Sequence, residues 1–205
     1  MLFRAFLPLR ILLFLLLFPG AGSLRAELAV DGFSALTSLQ PTGTVGWQFT
    51  TTERIQVEAL GVMDAGGDGL REAHQVGIWD ATGTSLLASA TVQSGTASTP
   101  DTTVMQNSLL RYELISPVVL VSGQTYIIGA SYDNDDLIFT NFNSFSSSTS
   151  LTGISGLSGG AGFSVPTTPS SSALLGPNFL LSPIPEPTSF LMFSCASLLV
   201  VRRRR

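Results

Sequence analysis

The sequence contains no lysine, one histidine and one cysteine in 205 residues. Between residues 24 and 182, 13 Asp and Glu stand against 4 Arg, a net charge of −9. Binding to nucleic acid depends on basic contacts to phosphate, so this acidic stretch argues against nucleic acid as a partner. The single cysteine, Cys195, lies in an apolar run near the C-terminus. Residues 24–182 therefore hold no disulfide, no cysteine nucleophile and no cysteine-based metal site.

His74 is the only histidine, so any Ser-His-Asp arrangement must use it. One histidine without a usable cysteine also leaves only carboxylates for a zinc site. We interpret His74 as a strand residue hydrogen-bonded to a loop, and we do not expect an enzyme. The alternative, a hydrolase, would depend on Asp64, Asp135 or His74.

Residues 1–23 have the three parts of a secretory signal peptide. Two arginines lie near its start, and residues 11–18 form an apolar run too short to span a bilayer. Pro19-Gly20 then breaks a helix ahead of small residues suited to signal peptidase. We predict cleavage after Ser23 and export of the remaining chain.

Three features follow one another over residues 183–205: a motif of Pro185, Glu186 and Pro187, an uncharged segment at 188–201, and a cluster of Arg202, Arg203, Arg204 and Arg205. A helix over the uncharged segment covers about 21 Å, less than the roughly 30 Å hydrocarbon core, so it spans a membrane only with local thinning. Basic residues beside a membrane span stay cytoplasmic, which places the preceding domain outside.

This tail resembles a PEP-CTERM sorting signal, although Ser194, Cys195 and Ser197 stand where such tails are usually glycine-rich. The resemblance implies recognition and cleavage by an exosortase, in Gram-negative bacteria that make extracellular polysaccharide. It also implies a cell-envelope or extracellular-matrix protein that is only transiently anchored in the membrane. The alternative is a tail-anchored surface protein that is never cut.

Residues 24–182 show short apolar runs bounded by Gly, Ser and Thr, which favours an all-β domain. The predicted strands are 45–51, 54–63, 74–80, 85–92, 110–114, 118–121, 125–132, 137–142 and 177–181. A change of phase in the second of them predicts a bulge near Ala59, and residues 121–126 predict a tight turn. We expect a β-sandwich of jelly-roll type at 45–181, after a lead-in at 24–44.

Residues 46–96 resemble the start of a domain of unknown function, the DUF4082 type, found in bacterial exported proteins. The features include Gly46-Trp47, the specific part is the stretch from Asp68-Gly69-Leu70 to Trp79-Asp80, and the likeness continues at 112–132 and 176–180. It implies a sandwich in an extracellular setting and brings no activity. Residues 143–172, rich in Ser, Gly and Thr, are either a spacer or a long loop inside the domain.

Two sets of residues are candidates for ligand binding. The possible Ca²⁺ ligands are Asp64, Asp68, Asp133, Asp135 and Asp136, which lie in glycine-flanked or clustered positions and are equally suited to ordinary turns. The possible glycan-facing aromatics are Trp47, Trp79 and Tyr132, whose alternative role is core filling. The sequence therefore predicts a structural or glycan-associated envelope protein without an obligatory cofactor. The alternative is a carbohydrate-binding module with a Ca²⁺-stabilised loop.

Overall fold

The computed structural model describes residues 26–33, 37–100, 109–134, 136–141, 145–171 and 173–184. Every regular element in these ranges is a β-strand, which confirms the all-β prediction. In chain order the strands are β1 (Glu27–Leu28), β2 (Val30–Phe33), β3 (Thr37–Leu39), β4 (Thr42–Thr51), β5 (Ile55–Asp64), β6 (His74–Asp80), β7 (Leu86–Val92), β8 (Thr99–Pro100), β9 (Leu109–Leu120), β10 (Thr125–Asp133), β11 (Ile138–Asn141), β12 (Phe145–Ser147), β13 (Leu151–Ser158), β14 (Thr168–Pro169), β15 (Ala173–Leu175) and β16 (Pro177–Pro183).

The predicted signal peptide (residues 1–23), sorting motif (185–187), membrane segment (188–201) and arginine cluster (202–205) lie outside the described residues. Within the described residues, no helix has the length and apolar character needed to cross a membrane.

Two antiparallel sheets organise the domain. One has six strands in the order β14-β13-β4-β10-β6-β7, and the other has five in the order β1-β16-β5-β9-β8. In the six-stranded sheet, Trp47 lies opposite Ile128, which lies opposite Ile78. Residues directly opposite one another across a ladder point to the same face, so these three side chains share one side of the sheet.

One buried cluster joins the two large sheets. Trp47 and Phe49 of the six-stranded sheet pack with Leu60 and Phe179 of the five-stranded sheet. The rings of Trp47 and Phe179 stack with centroids 5.7 Å apart, and Phe49 lies 5.1 Å from Phe179. Two sheets that bury their apolar faces against each other form the arrangement of a β-sandwich.

The predicted bulge in β5 is confirmed by its pairing with β16, where Val57 lies opposite Leu181 and Ala59 lies opposite Leu180, so Glu58 is the extra residue. On its other side, β5 pairs with a larger irregularity in β9. Val57 pairs with Val118, whereas Ala59 pairs with Leu114, so three residues of β9 lie opposite Glu58. Pro117 is one of the three, and a proline is tolerated there because the ladder is already interrupted. The predicted strands 110–114 and 118–121 are therefore the two halves of one bulged strand.

Residues 121–124 form the predicted turn, but the strands that it joins do not pair with each other. β9 belongs to the five-stranded sheet and β10 to the six-stranded sheet, so the turn carries the chain between layers. Gly123 has a φ of 74°, a left-handed conformation that favours glycine. The Gly123 N–H donates to the carbonyl of Thr51 at 2.7 Å, which fixes the turn against β4.

The region predicted as a Ser/Gly-rich spacer or loop, residues 143–172, contributes to the domain. β13 pairs with β4 inside the six-stranded sheet, with Gly156 opposite Trp47. The spacer interpretation is wrong for this strand, because its small residues still supply a full set of backbone hydrogen-bonding groups. The lead-in likewise contributes strands, since β1 pairs with β16 and β2 pairs with β12.

Candidate functional site

Asp64, a candidate calcium ligand, lies at the end of β5 inside the domain. Arg111 of the adjacent β9 donates its Nε–H to Asp64 Oδ2 at 2.6 Å, and the two side chains are only 1 % and 3 % exposed. The N–H of Gly69 donates to both Asp64 oxygens, at 3.2 and 3.0 Å. Gly69 has a φ of 111°, which favours glycine where the loop folds back onto this carboxylate. The Asp64 carboxylate therefore neutralises the buried Arg111 guanidinium and, through Gly69, holds the β5–β6 loop against the end of β5.

Asp136 anchors a second loop through the only histidine. Its Oδ2 accepts from His74 Nε2 at 2.9 Å and from the N–H of Arg71 at 2.9 Å. On the other side of the fully buried ring, His74 Nδ1 lies 2.7 Å from the carbonyl of Ser131. The interpretation of His74 as a strand residue bonded to a loop is confirmed.

Of the remaining predicted ligands, the structure describes Asp68 and Asp133. Asp68 is exposed in the β5–β6 loop, Asp133 is exposed at the end of β10, and Asp135 lies outside the described residues. Among the residues that the structure describes, no three His, Cys, Asp or Glu side chains come together where they could hold a metal ion. The structure thus gives Asp64 and Asp136 separate local roles.

The aromatic residues predicted to face a glycan are all buried, which corrects that prediction. Trp47 fills the core, and its Nε1–H donates to the carbonyl of Pro177 at 3.0 Å. Trp79 lies on the outer face of the six-stranded sheet, but Phe163 covers it at 5.2 Å between ring centroids. Tyr132 packs against His74 with centroids 4.5 Å apart. Core filling describes Trp47 best, because its rings are packed in the core and its one hydrogen-bond donor has an acceptor there.

Asp80 organises the turn between β6 and β7. Its Oδ1 accepts from the hydroxyl of Thr82 at 2.9 Å and from the N–H groups of Thr84 and Ser85 at 3.0 and 3.3 Å. Desolvation raises the pKa of the Asp80 carboxyl. The hydrogen bonds from Thr82, Ser85 and Thr84 lower this pKa by more than desolvation raises it, so it lies below the ordinary 3.8. Asp80 is therefore a charged turn residue at neutral pH.

A Gly-x-Ser-x-Gly pattern at 156–160 does not form a nucleophile site. Ser158 is the last residue of β13, whereas the nucleophile elbow of hydrolases lies on a strand-to-helix turn. The hydroxyl of Ser158 donates to the carbonyl of Thr168 at 3.5 Å. Both nitrogens of His74 are already bonded to Ser131 and Asp136, so His74 is not engaged with Ser158.

An open groove runs along one side of the sandwich, where the edges of the two sheets meet. Its volume is about 510 Å³, and it is lined by Leu87–Thr91 of β7 and by Glu113–Ser116 and Val118 of β9. Leu114 on its rim is 83 % exposed. A second cavity of about 470 Å³ shares Leu87 and Val118 and continues towards Gln124. This groove is a candidate binding surface, and no sequence pattern indicates it, because exposure at a sheet edge depends on the tertiary arrangement.

Asn178 is a structural residue that the sequence analysis did not single out. Its Oδ1 accepts from the N–H groups of Val30 (3.2 Å) and Phe179 (2.8 Å), and its Nδ2 donates to the carbonyl of Val30 at 2.7 Å. The buried amide thereby joins β2 to β16. The only sequence signal was its position within the Gly-Pro-Asn-Phe-Leu stretch at 176–180.

Replacing Asn178 with Ala is expected to lower the free energy of unfolding by about 1–3 kcal/mol, since it leaves buried backbone groups without a partner. Urea denaturation of the purified chain measures this loss. The matched control is Gln124→Ala in the exposed turn, which should change stability by less than about 0.5 kcal/mol. Equal urea midpoints for the two variants would show that the β2–β16 junction does not depend on the Asn178 amide.

These features define an all-β domain in which His74 and the Asp64–Arg111 pair are buried and an open groove lies between β7 and β9. The chain belongs to the family described as a domain of unknown function, DUF4082, whose profile matches residues 35–173. The match ends at residue 173, so the predicted continuation of the likeness at 176–180 lies outside it. No curated protein matches the chain.

Proposed function

We propose that this chain is an exported, non-catalytic protein of the cell envelope, structural or glycan-associated, which an exosortase sorts and processes at its tail. The non-catalytic part of the proposal rests on the bonds that titratable side chains make inside the domain. The carboxylate of Asp64 is bound to Arg111 and Gly69, and His74 is bound to Asp136 and Ser131. General acid–base catalysis requires such groups to reach a substrate, and these are buried in the fold.

The position of the tail supports the sorting part of the proposal. β16 ends at Pro183, and the N–H of Ile184 donates to the carbonyl of Arg54 at 2.9 Å. The motif at 185–187 therefore follows directly on Ile184, which is still bonded to the domain. Pro185 and Pro187 restrict the chain to extended conformations, which suits a peptide that a membrane enzyme must grip.

We expect the mature protein from its native host to end near residues 185–187 only when a functional exosortase is present. Intact-mass spectrometry of the protein from strains with and without that enzyme measures the C-terminus. An intact tail through Arg205 in both strains would contradict processing and favour the uncut tail anchor. In the same spectra, loss of residues 1–23 tests cleavage by signal peptidase.

The proposal also includes a jelly-roll topology for the sandwich. Contact with extracellular polysaccharide is also part of it, and the groove between β7 and β9 is the surface that would make the contact. The alternative, a carbohydrate-binding module with a Ca²⁺-stabilised loop, draws no support from the described residues, because Trp47, Trp79 and Tyr132 are buried.

A further inference from the structure

We propose that one end of the sandwich rests on the lipid surface. This end, here called the tail-proximal end, consists of the turns at 52–54, 81–85, 121–124 and 148–150 together with Ile184. The inference rests on the proposed function, in which residues 188–201 form a membrane segment. It adds an orientation of the domain and a specific contact surface for lipid.

Backbone hydrogen bonds hold these turns together around the exit of the tail. Ile184 N–H donates to the carbonyl of Arg54, and Thr52 N–H donates to the carbonyl of Ser150 at 2.8 Å. The N–H of Thr51 donates to the carbonyl of Gln124 at 3.1 Å. The turn at 81–85 lies at the same end, because Asp80 pairs with Tyr126 at the start of β10. The tail therefore leaves the domain from a surface built of short, mutually bonded turns.

Exposed apolar side chains lie at or next to this end. Val121 is 56 % exposed, Val119 is 40 % exposed, and Leu86 and Leu87 are 48 % and 37 % exposed. Leu87 and Val119 line one cavity with Gln124, which places these two side chains on one surface shared by the two sheets. Exposed apolar groups of this kind gain free energy when they enter the boundary between lipid headgroups and acyl chains.

The chain between the domain and the membrane segment is short. Only residues 185–187 separate Ile184 from residue 188. Three fully extended residues reach at most about 11 Å, and the headgroup layer on each side of the hydrocarbon core is roughly 5–8 Å thick. A domain tethered by that length cannot move away from the headgroups. The tail-proximal end must therefore face the bilayer.

The test uses the full chain, reconstituted in vesicles of phosphatidylethanolamine and phosphatidylglycerol, with an environment-sensitive fluorophore on one cysteine. Cys195, the only native cysteine, reports on the tail. Val121→Cys in a Cys195→Ser background reports on the tail-proximal end, and Asp68→Cys in that background is the matched control at the far end. Lipids with a quencher near the headgroup or deep in the acyl chain then measure the depth of each probe.

We expect loss of emission with the headgroup-level quencher at position 121, with the deep quencher at Cys195, and with neither at position 68. A quenched Cys195 probe with an unquenched probe at 121 would overturn the lipid contact and leave the proposed tail intact. An unquenched Cys195 probe with quenching at 121 would overturn the membrane role of the tail and support direct contact of the domain with lipid. Equal quenching at 121 and 68 would overturn the orientation.

Discussion

Replacing Asp64 with Ala is expected to lower the free energy of unfolding by about 3–5 kcal/mol, because it leaves the Arg111 guanidinium buried without its counter-charge. Arg111 is 3 % exposed, so water cannot replace the lost carboxylate without opening the end of the sandwich. The same change removes the acceptor of the Gly69 N–H, which holds the β5–β6 loop. Urea denaturation followed by far-ultraviolet circular dichroism measures the loss.

Two further variants show whether the effect belongs to the ion pair. Asp68→Ala removes an exposed carboxylate from the same loop and should change stability by less than about 0.5 kcal/mol. The double variant Asp64→Leu with Arg111→Met removes both charges, and it should be more stable than Asp64→Ala alone. If Asp64→Ala unfolds at the same urea concentration as Asp68→Ala, the buried pair does not stabilise the domain.

Replacing Trp47 with Ala is expected to cost about 3–5 kcal/mol, since it leaves a large cavity in the shared core of the two sheets. The indole is fully buried and packs against Phe49 and Phe179. Its loss also leaves the carbonyl of Pro177 without the Nε1–H donor. Thermal unfolding monitored by circular dichroism measures the change.

Trp47→Phe separates packing from hydrogen bonding, because it keeps an aromatic ring and removes the indole donor. We expect its stability to lie between that of the wild type and that of Trp47→Ala. Leu114→Ala is the control for truncating an apolar side chain on the surface, since Leu114 is 83 % exposed. The core assignment of Trp47 would be contradicted if its alanine variant lost no more stability than Leu114→Ala.

The sequence predicted the strands whose patterns are local. The strand at 74–80 coincides with β6, and that at 125–132 falls short of β10 by one residue. The bulge at Glu58 of β5 was visible as a change of phase, because side chains alternate along a strand and an inserted residue reverses the alternation. β13 was missed, since its glycines and serines carry little apolar pattern and its strand conformation is stabilised by pairing with β4.

The candidate site could be predicted only in part, for the same reason. The sequence grouped Asp64, Asp68 and Asp136 by residue type and by glycine-rich context, which suits turns and calcium loops alike. The partner of each carboxylate lies far along the chain, with Arg111 47 positions from Asp64 and His74 62 positions from Asp136. No local pattern encodes such pairs, and the groove between β7 and β9 depends on the meeting of two sheet edges.

The amino-acid sequence by itself determined the all-β class, the positions of the main strands and the acidic character of residues 24–182. These properties follow from residue type and from alternation over a few positions. Only the tertiary structure decided that Trp47 and Asp64 are buried, that the turn at 121–124 joins different sheets and that exposed valines and leucines lie beside the exit of the tail. Burial and proximity depend on which distant strands pair, and that choice is made by the packing of the whole domain.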